Sequence, residues 1–127
     1  MRMPAILWRL GLPIVMSLLL TACSGSDEEE PAPTPFAGSD GATLYTQACA
    51  GCHGADLRGT DKGPPFLDAI YRPGHHADVS FHLAIRSGAR AHHWNFGDMS
   101  PVEGLTDEQV AAIVAFVRAQ QREAGIE

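Results

Sequence analysis

The stretch CAGCH, Cys49 to His53, brings two thiols and an imidazole together within five residues. Three chemistries use thiols at this spacing: a redox disulfide, half of a zinc site, and covalent attachment of a cofactor. A redox CxxC of the thioredoxin kind needs a βαβ setting, and a structural zinc needs two more ligands at ordered spacing. The flanking sequence decides among them.

Upstream, Ser39 or Asp40 can cap a helix that carries Leu44, Tyr45 and Ala48 toward a core and ends near CAGCHG, where Gly51 and Gly54 permit tight backbone. Downstream, Asp56 to Asp68 reads as loop, because Gly59, Gly63, Pro64 and Pro65 forbid regular structure. A short helical piece, Leu67 to Tyr71, follows. Asp78 is expected to cap a helix through DVSFHLAIRSG, with Phe81, Leu83, Ala84 and Ile85 as its apolar side and Gly88 as its stop. After a second irregular stretch, Ala89 to Leu105, comes the most sharply marked helix. There Thr106 and Gln109 form a capping box, Val110, Ile113, Val114 and Val117 recur at helical spacing, and Gly125 terminates the run. No strand alternation stands out, so neither a βαβ unit nor an ordered second ligand pair accompanies the cysteines. The expectation is an all-α domain over residues 39–127. Its loops are too long for so small a fold unless they wrap something, and a core built from side chains alone would be marginal at this size.

CxxCH is the attachment pattern of c-type haem. Two thiols at this spacing can add to the two vinyl groups of one porphyrin edge, and the next residue presents its imidazole to the iron. Cys49 and Cys52 are then the thioethers and His53 the proximal ligand. Met99 lies in GDMSP, bounded by Gly97 and Pro101, and is the sole methionine after the first twenty-two residues. A lone methionine is usually core filler on an apolar helical stripe, but this one sits in a loop beside a proline. With His53 it resembles the axial pair of class I cytochromes c, in which sulfur ligation raises the iron's potential relative to two histidines.

From Gly41 to about Ala124 the chain is similar to the class I, mono-haem cytochrome c family. GATLY before the attachment motif would bring Gly41 and Tyr45 against Phe116 at that family's helix crossing. In the family, a proline carbonyl in a segment such as KGPPFL accepts the proximal histidine's second N–H and fixes its ring; Pro64 is the match, with Pro65 adjacent. The resemblance implies one covalent haem c wrapped by helices and long loops, and an electron carrier that is not itself an enzyme. Trp94 is then expected to pack on the haem or bond a propionate through its indole N–H, with Arg58, Arg72 and Arg90 as further propionate candidates.

The histidines depart from the family pattern: His75 and His76 in PGHH, His92 and His93 in AHHW, with His82 between them. Two such pairs can be read as a second metal site, for instance copper, as alternative haem ligands, or as loop residues that bond backbone or propionates. The last is the plainest reading, since nothing in the sequence brings the pairs together. They leave open a second class of function, a haem-based ligand sensor or a copper-handling protein.

Residues 1–22 have the layout of an export signal: Arg2 and Arg9 flank the start of an apolar run, LGLPIVMSLLL, too short to span a bilayer. LTAC, Leu20 to Cys23, resembles the lipobox of bacterial lipoproteins, which implies lipidation of Cys23 and a stable hold on a membrane surface facing the periplasm. Ser24 after that cysteine points to outer-membrane sorting in an enteric-like bacterium. Residues 23–38 read as an acidic, then proline-rich tether. With Cys23 lipidated, only Cys49 and Cys52 remain as a pair. Loss of the leader's two arginines leaves seven basic against fifteen acidic residues. That balance excludes a nucleic-acid partner and leaves redox proteins as the expected ones, met by a monomer.

Overall fold

The computed structural model describes residues 35–127; the export signal, the lipobox cysteine and most of the tether lie outside them. The described chain is helical: α1 (Gly41–Ala48), α2 (Ala50–His53), a 3-10 turn (Ala69–Tyr71), α3 (Asp78–Ser87) and α4 (Asp107–Glu123). Among the described residues there is no strand, and the one β contact is an isolated antiparallel bridge between Ala89 and Met99. No described helix is long and apolar enough to cross a membrane.

Local chemistry sets the helix ends. Asp40 caps α1 by accepting the Thr43 backbone N–H and hydroxyl, both at 2.8 Å. Thr106 and Gln109 close a reciprocal capping box on α4, which satisfies two of the backbone donors a helix start leaves free. The start of α3 differs from the expectation. Ala77 is its N-cap and Asp78 already lies inside the first turn, where its carboxylate is drawn outward to accept from Arg118 Nε at 2.7 Å. The apolar side of α3 is also narrower than the sequence suggests. Phe81 and Ile85 are buried, four residues apart on one face, whereas Leu83 is 58 % exposed and Val79 60 % exposed. The helical piece after the proline-rich loop is shorter than expected, a single turn capped by Asp68.

α4 is the spine of the domain, against which α1 and α3 both pack. Leu44 and Tyr45 of α1 meet Val110, Ile113, Val114 and Val117 of α4 in the core, all eleven or fewer residues from a helix start and all nearly inaccessible. The crossing is close because Gly41 has no side chain. A Cβ there would overlap the Ala112 carbonyl oxygen and stand 3.0 Å from Phe116 Cβ. Tyr45 and Phe116 rings pack at 5.4 Å across the same crossing, and the Tyr45 hydroxyl donates to the Gly54 carbonyl at 2.7 Å. That bond couples the crossing to the end of the CAGCH turn.

Arg118 and Gln121, one turn apart on α4, are buried polar residues with a structural task. Arg118 donates to Asp78, to the Tyr71 carbonyl at 2.8 Å, to Gln121 Oε1 at 2.6 Å and to the His76 carbonyl, with its guanidinium 4.7 Å over the Phe81 ring. Gln121 donates to the Phe66 carbonyl at 2.8 Å. Together they anchor the irregular segment from Phe66 to His76, whose backbone carbonyls have no ladder of their own.

Candidate functional site

The long loops enclose a cavity of about 780 Å³, within the range that takes a whole small-molecule cofactor (about 300–1,000 Å³). Its wall includes Cys49, Cys52, His53, Pro64, Trp94 and Met99, residues that come from the end of α1, from α2 and from both loop stretches. Apolar side chains make up most of the rest, among them Phe66, Phe81, Ile85, Ile113 and Val117.

The CAGCH turn places its three ligand-type residues by a change of helix direction. α1 stops at Cys49, which serves as its C-cap, and α2 restarts at Ala50. Cys49 is buried, Cys52 is exposed at the rim, and the two are separate thiols rather than a disulfide. Burial, and then the negative charge of Cys52, pushes the Cys49 thiol up to about 11. A thiol raised in this way is a poor thiolate for disulfide exchange.

His53 is 7 % exposed. Its Nδ1 stands 3.0 Å from the Pro64 carbonyl oxygen, which can only accept, so Nδ1 carries the proton and Nε2 keeps its lone pair. Desolvation by burial lowers the His53 pKa, and the Pro64 bond opposes that only in part. The ring is consequently held neutral, in the form that ligates a metal. Phe66 stacks on it at 4.1 Å with planes 20° apart, which fixes the ring's other degree of freedom.

Met99 is positioned by backbone pairing. Its N–H and carbonyl exchange hydrogen bonds with Ala89 at 2.8 and 3.0 Å, which closes the segment between them into a loop. Gly88, at φ +77°, turns the chain out of α3 to reach this bridge, a conformation that side chains disfavour. Inside that loop the Trp94 indole nitrogen is buried without a hydrogen-bond partner among the described residues. It lies near enough to the Tyr71 phenol to lower that group's pKa somewhat against the larger upward push of burial. A buried N–H left without a normal bond is costly, and here it lines a cavity of cofactor size.

These features fit a haem. The cavity is large and mostly apolar, it has two thiols at one rim and a neutral, oriented imidazole, and a methionine and an unused indole N–H line the same space. Of the three arginines considered for propionates, Arg90 lines the cavity, whereas Arg72 bonds the Ala69 carbonyl at 3.2 Å. Sequence reasoning missed Tyr71 as a wall residue and did not single out Phe66 beyond its place in KGPPFL; an aromatic directly after a double proline was the available signal. It also did not foresee that the two histidine pairs meet, with His75 Nε2 3.3 Å from His93 Nε2 and His76 Nε2 3.4 Å from His92 Nε2.

Comparison with known proteins agrees with this geometry. The family model described as "Cytochrome c" matches residues 38–121. The chain is also similar to cytochrome c-551 of Bacillus subtilis (strain 168), 32 % identical over 111 residues that cover 84 % of this chain and 88 % of that protein.

Proposed function

Because this chain belongs to the cytochrome c family, which implies a covalently bound haem c, we propose that it is an exported one-electron carrier tethered to a membrane through Cys23, with His53 and Met99 as the two axial ligands of its iron. The convergence of Cys49, Cys52, His53 and Met99 on one cavity supports this assignment most directly. When bound, the haem supplies reversible one-electron chemistry, and the protein supplies burial, orientation and choice of ligand.

Each residue has a definable part. Cys49 and Cys52 would hold the haem as thioethers. Pro64 keeps His53 in the tautomer that leaves Nε2 for the iron and strengthens it as a ligand. The Ala89 bridge holds Met99, whose sulfur favours the reduced state relative to a second imidazole. Trp94 offers its N–H to a propionate. Were His53 and Met99 both to ligate the iron, no position would be left open for a substrate, which fits a carrier rather than a catalyst. Redox partners would meet it through a small, transient contact at the cavity mouth, and its acidic balance favours a basic or mixed patch on them.

Spectroscopy tests the ligand assignment. The oxidised protein is expected to show the weak red absorption band of sulfur bound to ferric iron, and Met99→Ala is expected to abolish it and to lower the reduction potential. Prompt binding of carbon monoxide by the unmodified reduced protein, without that band, would instead support a ligand sensor. The tether is tested separately. The unmodified protein is expected to fractionate with membranes and to take up labelled fatty acid, and Cys23→Ala is expected to remove the label and release the protein. A labelled Cys23→Ala protein would sink the lipid assignment and leave the haem chemistry untouched.

A further inference from the structure

His75, His76 and His93 each present a ring nitrogen, and the three nitrogens all lie within 4.8 Å of one another. His92 joins them through His76, so two consecutive pairs from loops far apart in sequence interlock, His75 with His93 and His76 with His92. All four also line the cavity described above, yet holding a haem there does not require them. An electron carrier needs one axial histidine, already supplied by His53.

The hydrogen bonds of the outer nitrogens decide what the inner ones can do. His76 Nδ1 lies 2.8 Å from the Ile70 carbonyl oxygen and His92 Nδ1 2.8 Å from the Arg90 carbonyl oxygen. Carbonyl oxygens only accept, so both rings carry their proton on Nδ1 and turn a bare lone pair inward on Nε2. The 3.4 Å approach of these two Nε2 atoms is then not a hydrogen bond between neutral rings. Two lone pairs at that distance repel unless a positive charge lies between them. A proton could serve one pair, but here two pairs close on the same space. Backbone carbonyls that fix the tautomer of an imidazole are also the usual outer support of metal-bound histidine.

The spacing points to a particular coordination geometry. Two nitrogen ligands on a tetrahedral zinc, each roughly 2.0–2.1 Å from the ion, stand about 3.3–3.4 Å apart, against 3.3 and 3.4 Å for the two inner pairs. Square-planar ligands at the same bond length would stand closer, at about 2.9 Å, the arrangement that suits copper(II). We propose that His75, His76 and His93 form a second metal site, distinct from the haem iron, that binds one Zn²⁺ in tetrahedral coordination, with His92 beside His76 as the candidate fourth ligand. Such an ion would staple the loop after the 3-10 turn to the loop that carries Trp94 and Met99.

The test uses the haem-loaded protein, with Zn²⁺ itself as the probe in calorimetric titration and in X-ray absorption at the zinc edge, which the haem iron does not obscure. The expected result is one equivalent bound, a nitrogen shell at about 2.0–2.1 Å, and a rise in melting temperature with added zinc. His75→Ala combined with His93→Ala is expected to weaken uptake at least roughly 100-fold, and His92→Ala to weaken it less. Both sites are exposed loop positions, so an unchanged haem spectrum would show that the fold survives. His82→Ala, on α3 and outside the cluster, should bind zinc as the parent does. Zinc uptake unchanged in the double variant overturns the site. Preferred uptake of Cu²⁺ with a tetragonal resonance signature and no uptake of Zn²⁺ overturns the tetrahedral assignment. A change of iron ligation in the double variant before any zinc is added would assign the histidines to the haem instead.

Discussion

Cys49→Ser combined with Cys52→Ser is expected to yield a colourless chain without stable tertiary structure, even when made in cells competent for cytochrome assembly. The cavity that these thiols border measures about 780 Å³. Without the haem the lining has no partner atoms across that space, and a typical small domain has only about 5–15 kcal/mol of stability in total to set against the loss. Phe66, Phe81, Ile85, Ile113 and Val117 line the cavity and would lack partner atoms on that side, and no second cluster of buried residues exists among the described ones to compensate. Circular dichroism and a thermal melt of the double variant read the outcome. A compact domain with parental helicity and a cooperative melt would show that the side chains suffice without the cofactor.

Arg118→Ala is expected to cost about 2–5 kcal/mol, from the buried acceptors it would leave without a donor. The guanidinium is nearly inaccessible, and its loss would strand the Gln121 side-chain oxygen and the His76 carbonyl, each costly to leave unpaired at about 1–3 kcal/mol. Asp78 would lose least, since its side chain is 65 % exposed and water can replace the arginine. Arg118→Lys should recover only part of the loss, because a single ammonium cannot reach four acceptors spread around a planar fork. Denaturant midpoints of the three proteins, measured with haem in place, give the order Arg, Lys, Ala. Equal midpoints for Lys and Arg would mean that charge, and not the fork, is what the site uses.

How far the sequence carried the fold depended on whether a signal was local. The α4 capping box, its valine and isoleucine spacing and the absence of strand alternation were all legible, because each rests on residues within a few positions of one another. So was the expected crossing at Gly41, Tyr45 and Phe116, through family resemblance. Asp78 looked like a cap because aspartate before an apolar run usually is one; a buried arginine forty residues later claimed its carboxylate. Leu83 looked inward-facing because one turn of helix does not reveal which side will meet α4. The histidines show the limit most clearly. Two HH pairs sixteen and more residues apart read as ordinary loop composition, and only the tertiary path of the chain brings their nitrogens to 3.3 and 3.4 Å. Arg118 and Gln121 were hidden for a related reason: on a helical wheel a polar residue beside an apolar stripe reads as its solvated edge.

The pairing of α1 with α4 joins the two ends of the described chain. Contacts of such wide sequence separation demand that a large loop close before any packing energy returns. This domain should therefore fold more slowly than a helical bundle of its size whose neighbours in space are neighbours in sequence. While that closure is pending the core that buries Cys49 is incomplete, so the kinetically open interval is also the interval in which both thiols are accessible to modification.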